Sequence, residues 1–582
     1  MIRHAITLSI VWPLAGTSAL AQTAADSVAP EIATGISEGV SPVTSQNWMV
    51  AVAHPLAAET AAHVLRGGGS ASDAAIAAQA MLGLVEPQSS GLGGGAFLVR
   101  YDGETGTVTT LDARETAPLA ATPTLFQTAA GDPLAFFAAV IGGRSVGTPG
   151  TPALMAEMHQ RWGKADFASL LEPARKTAEA GFTVSPRMAK SVANAAVSLR
   201  AHPATAAYFL PGGKPLAVGT TLKNPAYAAT LGRFQKDGVS PFYTGDLARN
   251  IVDTVRGFAL NPGLLTMADF TNYRVKERAP VCAPYRGHEV CGMGPPSSGG
   301  LTVGQILALL EPYDLKALGQ DNPESWRLIG DASRLAFADR GRYMADPDFV
   351  PQPTKGLLEP DYVKTRSSLL NGDKALEKVT AGEPAWDHAG LFGDGLSLDL
   401  PATTHFSIRD SEGNIVSITS TIENGFGSRL MANGYLLNNE LTDFSFRTHR
   451  DGRPIANRVE PGKRPRSSMA PTIVLKDGKP VLAIGSPGGS RIIGYVAKTI
   501  IAHLDWGMDI QTAINFPHAV NRFGTYDLEA GTGAEQLQQP LEALGYKINI
   551  RNLNSGLHAI AIGENGLTGG ADPRREGILI GE

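Results

Sequence analysis

The strongest chemical constellation of this 582-residue chain lies between residues 401 and 491. Pro401-Ala402-Thr403-Thr404-His405-Phe406-Ser407 runs from a flexible loop into a strand whose first residues carry hydroxyls. Thr421-Ile422-Glu423 follows, then Asn438-Asn439-Glu440-Leu441-Thr442-Asp443. Next come Lys463-Arg464-Pro465-Arg466-Ser467-Ser468-Met469 and Gly485-Ser486-Pro487-Gly488-Gly489-Ser490-Arg491. Singly these are ordinary: two threonines at a strand start fit β-propensity, the acids fit a solvated face, and the glycines fit a turn. Together they offer a hydroxyl nucleophile, paired acids, a double serine and a Gly-Gly turn opening a helix. Such a turn can aim backbone N–H groups at an oxyanion. The set suits acyl transfer.

A rival nucleophile is Ser145, in the G-x-S-x-G pattern Gly143-Arg144-Ser145-Val146-Gly147. A nucleophile elbow needs a strand running straight into the serine turn and a helix leaving at once. Here Thr148-Pro149-Gly150-Thr151 intervenes before the helix, which favours a structural turn and leaves a serine esterase as the runner-up. A second match, Gly35-Ile36-Ser37-Glu38-Gly39, lies in a loose leader. Neither H-E-x-x-H, a Walker A loop, an EF-hand loop nor a dinucleotide-binding G-x-G-x-x-G occurs, so no metal or cofactor is expected.

The elements that must hold these residues follow from periodicity. Pro55–Leu65 and Ser72–Leu84 are alanine-rich at helical spacing, closed by Gly67-Gly68-Gly69 and Glu86-Pro87. Pro152–Trp162, Leu301–Leu310 and Pro323–Tyr343 carry 3.6-period faces, and a further helix is predicted from Ser490 to about Leu504. Strands are predicted at Ala96–Tyr101, Thr107–Leu111, Thr472–Leu475 and Val481–Ile484. Thr404–Arg409 and Ile415–Thr421 alternate around Asp410-Ser411-Glu412-Gly413-Asn414, a hairpin signal. Residues 371–402 are loop-like, and Leu134–Ile141 reads as a buried apolar segment. Helices, then hairpin-linked strands, then helices imply a layered α+β architecture.

Composition bounds the class. Net charge is −5, with 43% hydrophobic and 18% charged residues, 66 Gly, 39 Pro and 2 Cys. The chain can bury a large core, and its near-neutral balance argues against nucleic acid as a partner. Two cysteines exclude a disulfide scaffold or a cysteine-based zinc cluster. Arg3 and His4 precede an uncharged run from Ala5 to Ala21 that ends in Ala19-Leu20-Ala21, the pattern of a secretory signal peptide. Residues 1–21 are therefore expected to be removed, 22–45 to form a loose leader, and the protein to be exported, periplasmic or secreted, with no membrane anchor. Cys282 and Cys291 flank a potential two-residue turn at Arg286-Gly287, which would set them opposite each other at a non-hydrogen-bonded position, Cα atoms about 4.5 Å apart. We read a local disulfide staple, the alternative being two buried thiols.

Ordered blocks along most of the chain carry a resemblance. They include Val85-Glu86-Pro87-Gln88-Ser89-Ser90-Gly91-Leu92-Gly93-Gly94-Gly95, Asp112-Ala113-Arg114-Glu115-Thr116-Ala117-Pro118 and Pro295-Pro296-Ser297-Ser298-Gly299-Gly300. Ala338-Asp339-Arg340, Asp346-Pro347-Asp348-Phe349, Thr403-Thr404-His405, Leu437-Asn438-Asn439 and the Arg-Ser-Ser-Met and Pro-Gly-Gly-Ser-Arg blocks complete the set. The sequence resembles the γ-glutamyltransferase (glutathione hydrolase) family of N-terminal nucleophile hydrolases.

The resemblance implies a four-layer αββα sandwich formed by two chains cut from one precursor at Ala402–Thr403, a large subunit (46–402) and a small one (403–582) that stay together. It implies that Thr403 is the nucleophile of both maturation and catalysis. Its freed α-amine, ordinarily near 7.7–8.0, would serve as base. By the same likeness Thr421 orients the nucleophile, and Gly488 and Gly489 form the oxyanion hole. Arg114, Ser467 and Ser468 clamp the substrate α-carboxylate, while Glu440 and Asp443, with Glu423 nearby, hold its α-ammonium. The implied donors are glutathione and related γ-glutamyl compounds, and the acceptors are water, amino acids or dipeptides. Cephalosporin (glutaryl) acylases share fold and nucleophile; the acid at 443 favours the glutamyl substrate, because an acyl chain with no cation would leave it unpaired. Glu423 stands where many members carry Asn, and residues 444–466 are shorter than the lid of many members, which predicts a more open donor site.

Overall fold

The structure, a computed structural model, describes residues 28–31, 41–388, 391–395 and 400–582. The signal segment 1–21 lies outside the described residues. Two seven-stranded antiparallel sheets form the centre. In spatial order, one comprises Ile578–Gly581, Met49–Val52, Thr403–Arg409, Ile415–Thr421, Gly95–Tyr101, Val108–Ala113 and Lys276–Arg278. The other comprises Val43–Ser45, Gly566–Ala571, His558–Gly563, Lys479–Gly485, Thr472–Lys476, His288–Gly292 and Val281–Tyr285. The sheets pack face to face. Helices Pro55–Arg66 and Ala71–Val85 cover the outer side of the first, and Gly299–Leu310 and Ile492–Leu504 cover the second. This is the expected four-layer αββα sandwich.

Local chemistry explains the layers. Ser70 and Asp73 form a reciprocal capping box at the start of Ala71–Val85, all of whose residues are buried. Its alanines let the sheet and the outer helices approach it on every side, so it lacks the polar face of a surface helix. Pro323–Tyr343 begins after an Asn322 cap with proline at its start, as its sequence predicts. The predicted helix from Ser490 starts instead at Ile492, behind a 3-10 turn over Gly489–Arg491.

The Thr403–Arg409/Ile415–Thr421 hairpin sets the geometry of the site. Asp410 Oδ1 accepts from the Glu412 and Asn414 N–H groups (3.0 and 2.9 Å), closing the turn. That fixes Arg409 opposite Ile415 and hence Thr403 opposite Thr421, with Gly95 opposite Thr421 on the other side. Phe406 and Ile408 join the helix-side core, while Thr403, His405 and Ser407 alternate toward the second sheet. A one-residue slip would reverse that facing. At Gly485 the sheets touch: a Cβ there would lie 2.3 Å from the His405 ring, so only glycine fits.

Cys282 and Cys291 are disulfide-bonded and stand opposite each other, Cα atoms 4.0 Å apart. Arg286 and Gly287 have φ of 50° and 73°, the twisted two-residue turn anticipated from the sequence. Pro284 is accommodated because Val281–Tyr285 is an edge strand.

Two expectations are corrected. Leu134–Ile141 is not a buried segment: Phe136–Val140 forms a short helix of which only Ala139 and Val140 are buried, and Phe137 is 58% exposed. Its aromatic end lines a cavity instead of the core. Nor is the 22–45 stretch loose where it is described. Val43–Ser45 pairs with the glycine-rich strand Gly566–Ala571, and Glu31 is held between the Arg187 and Arg575 guanidiniums. One carboxylate anchors a segment whose bland composition carries no other signal.

The inter-sheet layer also carries pH sensitivity. Burial holds the His558 imidazole down at about 4 and the His405 and His518 imidazoles well below their usual value. Below pH ~6.5 the unfolded chain therefore binds more protons at these sites than the folded one, and their stabilising contribution is lost as pH falls toward 4. Glu115 and Glu423, whose carboxyls burial pushes up, act in the opposite sense, so the effect is read as a difference. Between pH 7 and pH 5 the parent is expected to lose about 2 kcal/mol more than His558→Gln in denaturant unfolding. Equal losses would contradict this account of His558.

Candidate active site

Both sheets end at one place. Thr403 and Thr421 are the terminal pair of their hairpin, and Arg114 follows directly on the strand that ends at Ala113. From the other sheet, Ser467 and Ser468 lie just ahead of Thr472–Lys476, and Gly488-Gly489 lies just past Lys479–Gly485. A small cavity of about 20 Å³ at this end is lined by Thr403, Thr421, Glu423, Arg114, Glu440, Asp443, Ser467, Ser468 and Gly489, with Leu400, Met469 and Ile492. Gly488 stands behind the wall, its φ of 136° and the Tyr495 ring beside the place of a Cβ excluding a side chain, and Ala402 borders the neighbouring cavity.

The Ala402–Thr403 bond is continuous, and its surroundings are specific. Thr403 Oγ1 donates to Thr421 Oγ1 (3.3 Å), and Thr421 Oγ1 donates to the Ala402 carbonyl (3.0 Å). Thr421 Oγ1 also accepts from the Glu423 N–H (2.8 Å). That uses the one donor and both lone pairs of the Thr421 hydroxyl. Glu423 reaches this position at φ 74°, a conformation a non-glycine residue rarely adopts, and such strain concentrates at functional sites. The arrangement can hand a proton from Thr403 toward the carbonyl next to it.

The charged end is preassembled. The Arg114 guanidinium pairs with Glu440 through Nη1 and with Asp443 through Nη2, and donates to the Pro465 and Arg466 carbonyls (3.2 and 3.1 Å). Burial works against its charge, but the two carboxylates prevail and raise it. Arg340 donates to Ser468 Oγ (2.6 Å) and Ser298 Oγ (2.7 Å), fixing the double serine. Burial, then the charges of Asp443 and Glu440, push the Glu423 carboxyl well above the carboxylate range; burial and Glu440 do the same to Glu115. The ion pairs themselves are one guanidinium against two carboxylates.

In the uncut chain this small cavity lies beneath the 444–466 segment. Arg114 pairs with Glu440 and Asp443 across this space, and Leu400 occupies its edge, its N–H on Glu423 Oε1 (3.2 Å). The short segment is itself pinned: Asn457 Nδ2 donates to the Asp443 carbonyl (2.7 Å), and Phe446 stacks on Phe126 at 4.6 Å.

Some supporting residues escaped sequence reasoning. Arg575 donates to the Thr403 carbonyl (2.8 Å), and Thr404 Oγ1 donates to Glu86 (3.2 Å), which pairs with Arg187. The one hint in the sequence is charge density: Asp572-Pro573-Arg574-Arg575-Glu576 is a charged run in a lightly charged chain. Asn439, whose Nδ2 donates to Glu423, and Arg340 lie in blocks that carried the resemblance without an assigned role. Ser145, by contrast, is fully buried in a 3-10 turn, its Oγ donating to the Val140 and Gly142 carbonyls (2.7 and 3.2 Å). A nucleophile elbow exposes its serine, so Ser145 is structural.

Comparison with known proteins agrees with this geometry. A family model described as gamma-glutamyltranspeptidase matches residues 57–581. The glutathione hydrolase proenzyme of Bacillus subtilis (strain 168) is 39% identical over 549 residues, covering 92% of this chain and 92% of its own. The acylase ACY 1 proenzyme of Pseudomonas sp. (strain V22) is 35% identical over 550 residues, covering 93% and 94%. The cephalosporin acylase from Bacillus halodurans superposes with a TM-score of 0.83 at 25% identity, covering 94% of this chain and 98% of that one. Spanned by the family model almost from end to end, the chain belongs to the gamma-glutamyltranspeptidase family.

Proposed function

We propose that the protein is a self-processing γ-glutamyl hydrolase and transferase acting on glutathione and related compounds, with Thr403 as nucleophile. One observation carries the reading: a buried guanidinium, Arg114, held between Glu440 and Asp443 in a cavity shared with Thr403. An α-carboxylate replacing the acids on Arg114, and an α-ammonium taking those acids, would exchange one set of ion pairs for another. A zwitterionic amino-acid head thus fits without leaving a buried charge unpaired.

Maturation follows from the hydroxyl chain. Thr403 Oγ attacks the Ala402 carbonyl carbon as its proton passes to Thr421, whose own proton moves to the developing oxyanion. The tetrahedral centre then breaks its C–N bond, its hydroxyl proton going to nitrogen, and leaves an ester on Thr403. Water hydrolyses that ester, separating residues 46–402 from 403–582. The freed α-amine of Thr403 becomes the base for the second reaction: attack on a γ-glutamyl carbonyl, release of the amine product, and transfer of the acyl group to water or an amino-acid amine. The Gly488-Gly489 turn is the oxyanion support at this stage. The leader motif supports export, and among the described residues no helix is long and apolar enough to cross a membrane.

The similarity to acylases favours a second reading, hydrolysis of glutaryl amides, which lack the α-ammonium. Parallel kinetics on glutathione and on a glutaryl amide with the same leaving group separate the two. Glutathione is expected to show roughly 100-fold higher kcat/KM, because the glutaryl compound forgoes one buried charge-assisted hydrogen bond. Equal rates, or preference for the glutaryl compound, would favour the acylase.

A further inference from the structure

A second cavity, about 640 Å³, begins where the first ends. The two share Leu400, and the second is also bordered by Pro401 and Ala402. It therefore lies against the Ala402–Thr403 bond, beyond the acyl-binding residues. Its size is that of a small-molecule site. Phe136 and Phe426 supply apolar wall, Ser198, Asn424 and Arg429 supply polar groups, and the Glu31 carboxylate, already held by Arg187 and Arg575, also lines it.

Arg429 is the unusual member. It is 5% exposed, and among the described residues no carboxylate pairs with it. Its guanidinium donates only to neutral groups: Nη1 to the Gly427 carbonyl, Nη2 to Asn424 Oδ1 (2.6 Å) and Nε to Ser198 Oγ (3.4 Å). The acid that acts on it electrostatically is Glu423, whose carboxyl oxygens are turned away, one to the Leu400 N–H (3.2 Å) and the other to Asn439 Nδ2. Burial pulls the guanidinium down to about 10, still charged at neutral pH. A buried cation without a counter-charge is costly and is retained where something anionic meets it. The backbone points the same way. Glu423, Phe426 and Arg429 have φ of 74°, 68° and 65°, so the turn that carries Arg429 into the cavity is strained along its length.

We propose that this cavity receives the amine partner of the reaction, an amino acid or short peptide, with its carboxylate on Arg429 and its amine at Thr403. Arg114 then reads the carboxylate on the acyl side and Arg429 the carboxylate on the amine side. This rests on the γ-glutamyl reading above. The carboxylate can belong to the departing peptide or to an incoming acceptor, and the chemistry is the same for both.

The test compares glutathione with its glycine amide as donors, and a dipeptide with its amide as acceptors, in the parent enzyme and in Arg429→Gln. The parent is expected to favour each carboxylate form by roughly 10- to 100-fold in KM, and Arg429→Gln to bring the ratio near one. The ratio is taken within one preparation, so partial misfolding of the variant does not alter it, and discrimination that survives in Arg429→Gln overturns the assignment to Arg429. Discrimination in the donor arm assigns the site to the leaving group, in the acceptor arm to the acceptor, and in both to a shared site. Turnover with no discrimination in either arm overturns the Arg429 site alone. No turnover of either form of glutathione overturns the γ-glutamyl reading and this site with it.

Discussion

Thr403→Ala is expected to remain a single full-length chain and to show no measurable γ-glutamyl turnover. On the proposed mechanism the substitution removes the attacking atom and the proton that Thr421 would receive, so maturation and catalysis are expected to fail together. Deleting one member of such a unit typically costs on the order of 10⁴-fold or more in rate. The fold should survive: Thr403 is a strand-end residue whose hydroxyl bonds a neighbouring hydroxyl at 3.3 Å, and its backbone pairing with Thr421 does not depend on the side chain. Electrophoresis and an unfolding transition near that of the parent check both halves. Thr403→Ser keeps a hydroxyl and should cleave, more slowly. Full cleavage of Thr403→Ala would place the chemistry elsewhere.

Arg114→Met is expected to be the other severe variant, and for a different reason. Arg114 is 1% exposed and neutralises Glu440 and Asp443, which are also buried. Removing one partner of a buried ion pair leaves the others uncompensated, at about 3–5 kcal/mol. The variant should therefore unfold earlier as well as lose donor affinity, and a lower pH should restore part of its stability by protonating the acids. Arg114→Lys keeps the charge but lacks the fork that spans two carboxylates, so an intermediate effect is expected. Unchanged unfolding together with unchanged KM for glutathione would contradict the role given to Arg114.

What could be read from the chain divides by distance along it. The hairpin around Asp410–Asn414 is local, so alternation and turn chemistry marked it in the sequence, while the pairing of Thr403 with Thr421 is given by the structure's register. The Cys282–Cys291 staple is local in the same sense. Arg575 meets the Thr403 carbonyl across 172 positions, and Glu31 meets Arg575 across 544; neither pairing leaves a periodic trace. Loop length says nothing about the ion pairs of Arg114 with Glu440 and Asp443, which lie in the same cavity as Thr403 in the uncut chain. Leu134–Ile141 was misread because apolar composition does not distinguish a core segment from the wall of a cavity.

N-terminal sequencing of the purified protein's fragments tests the central claim most directly. The account predicts two associated chains, the smaller beginning Thr-Thr-His-Phe at residue 403. A single uncut chain that nevertheless hydrolyses glutathione, or a small fragment beginning at any other residue, would contradict it.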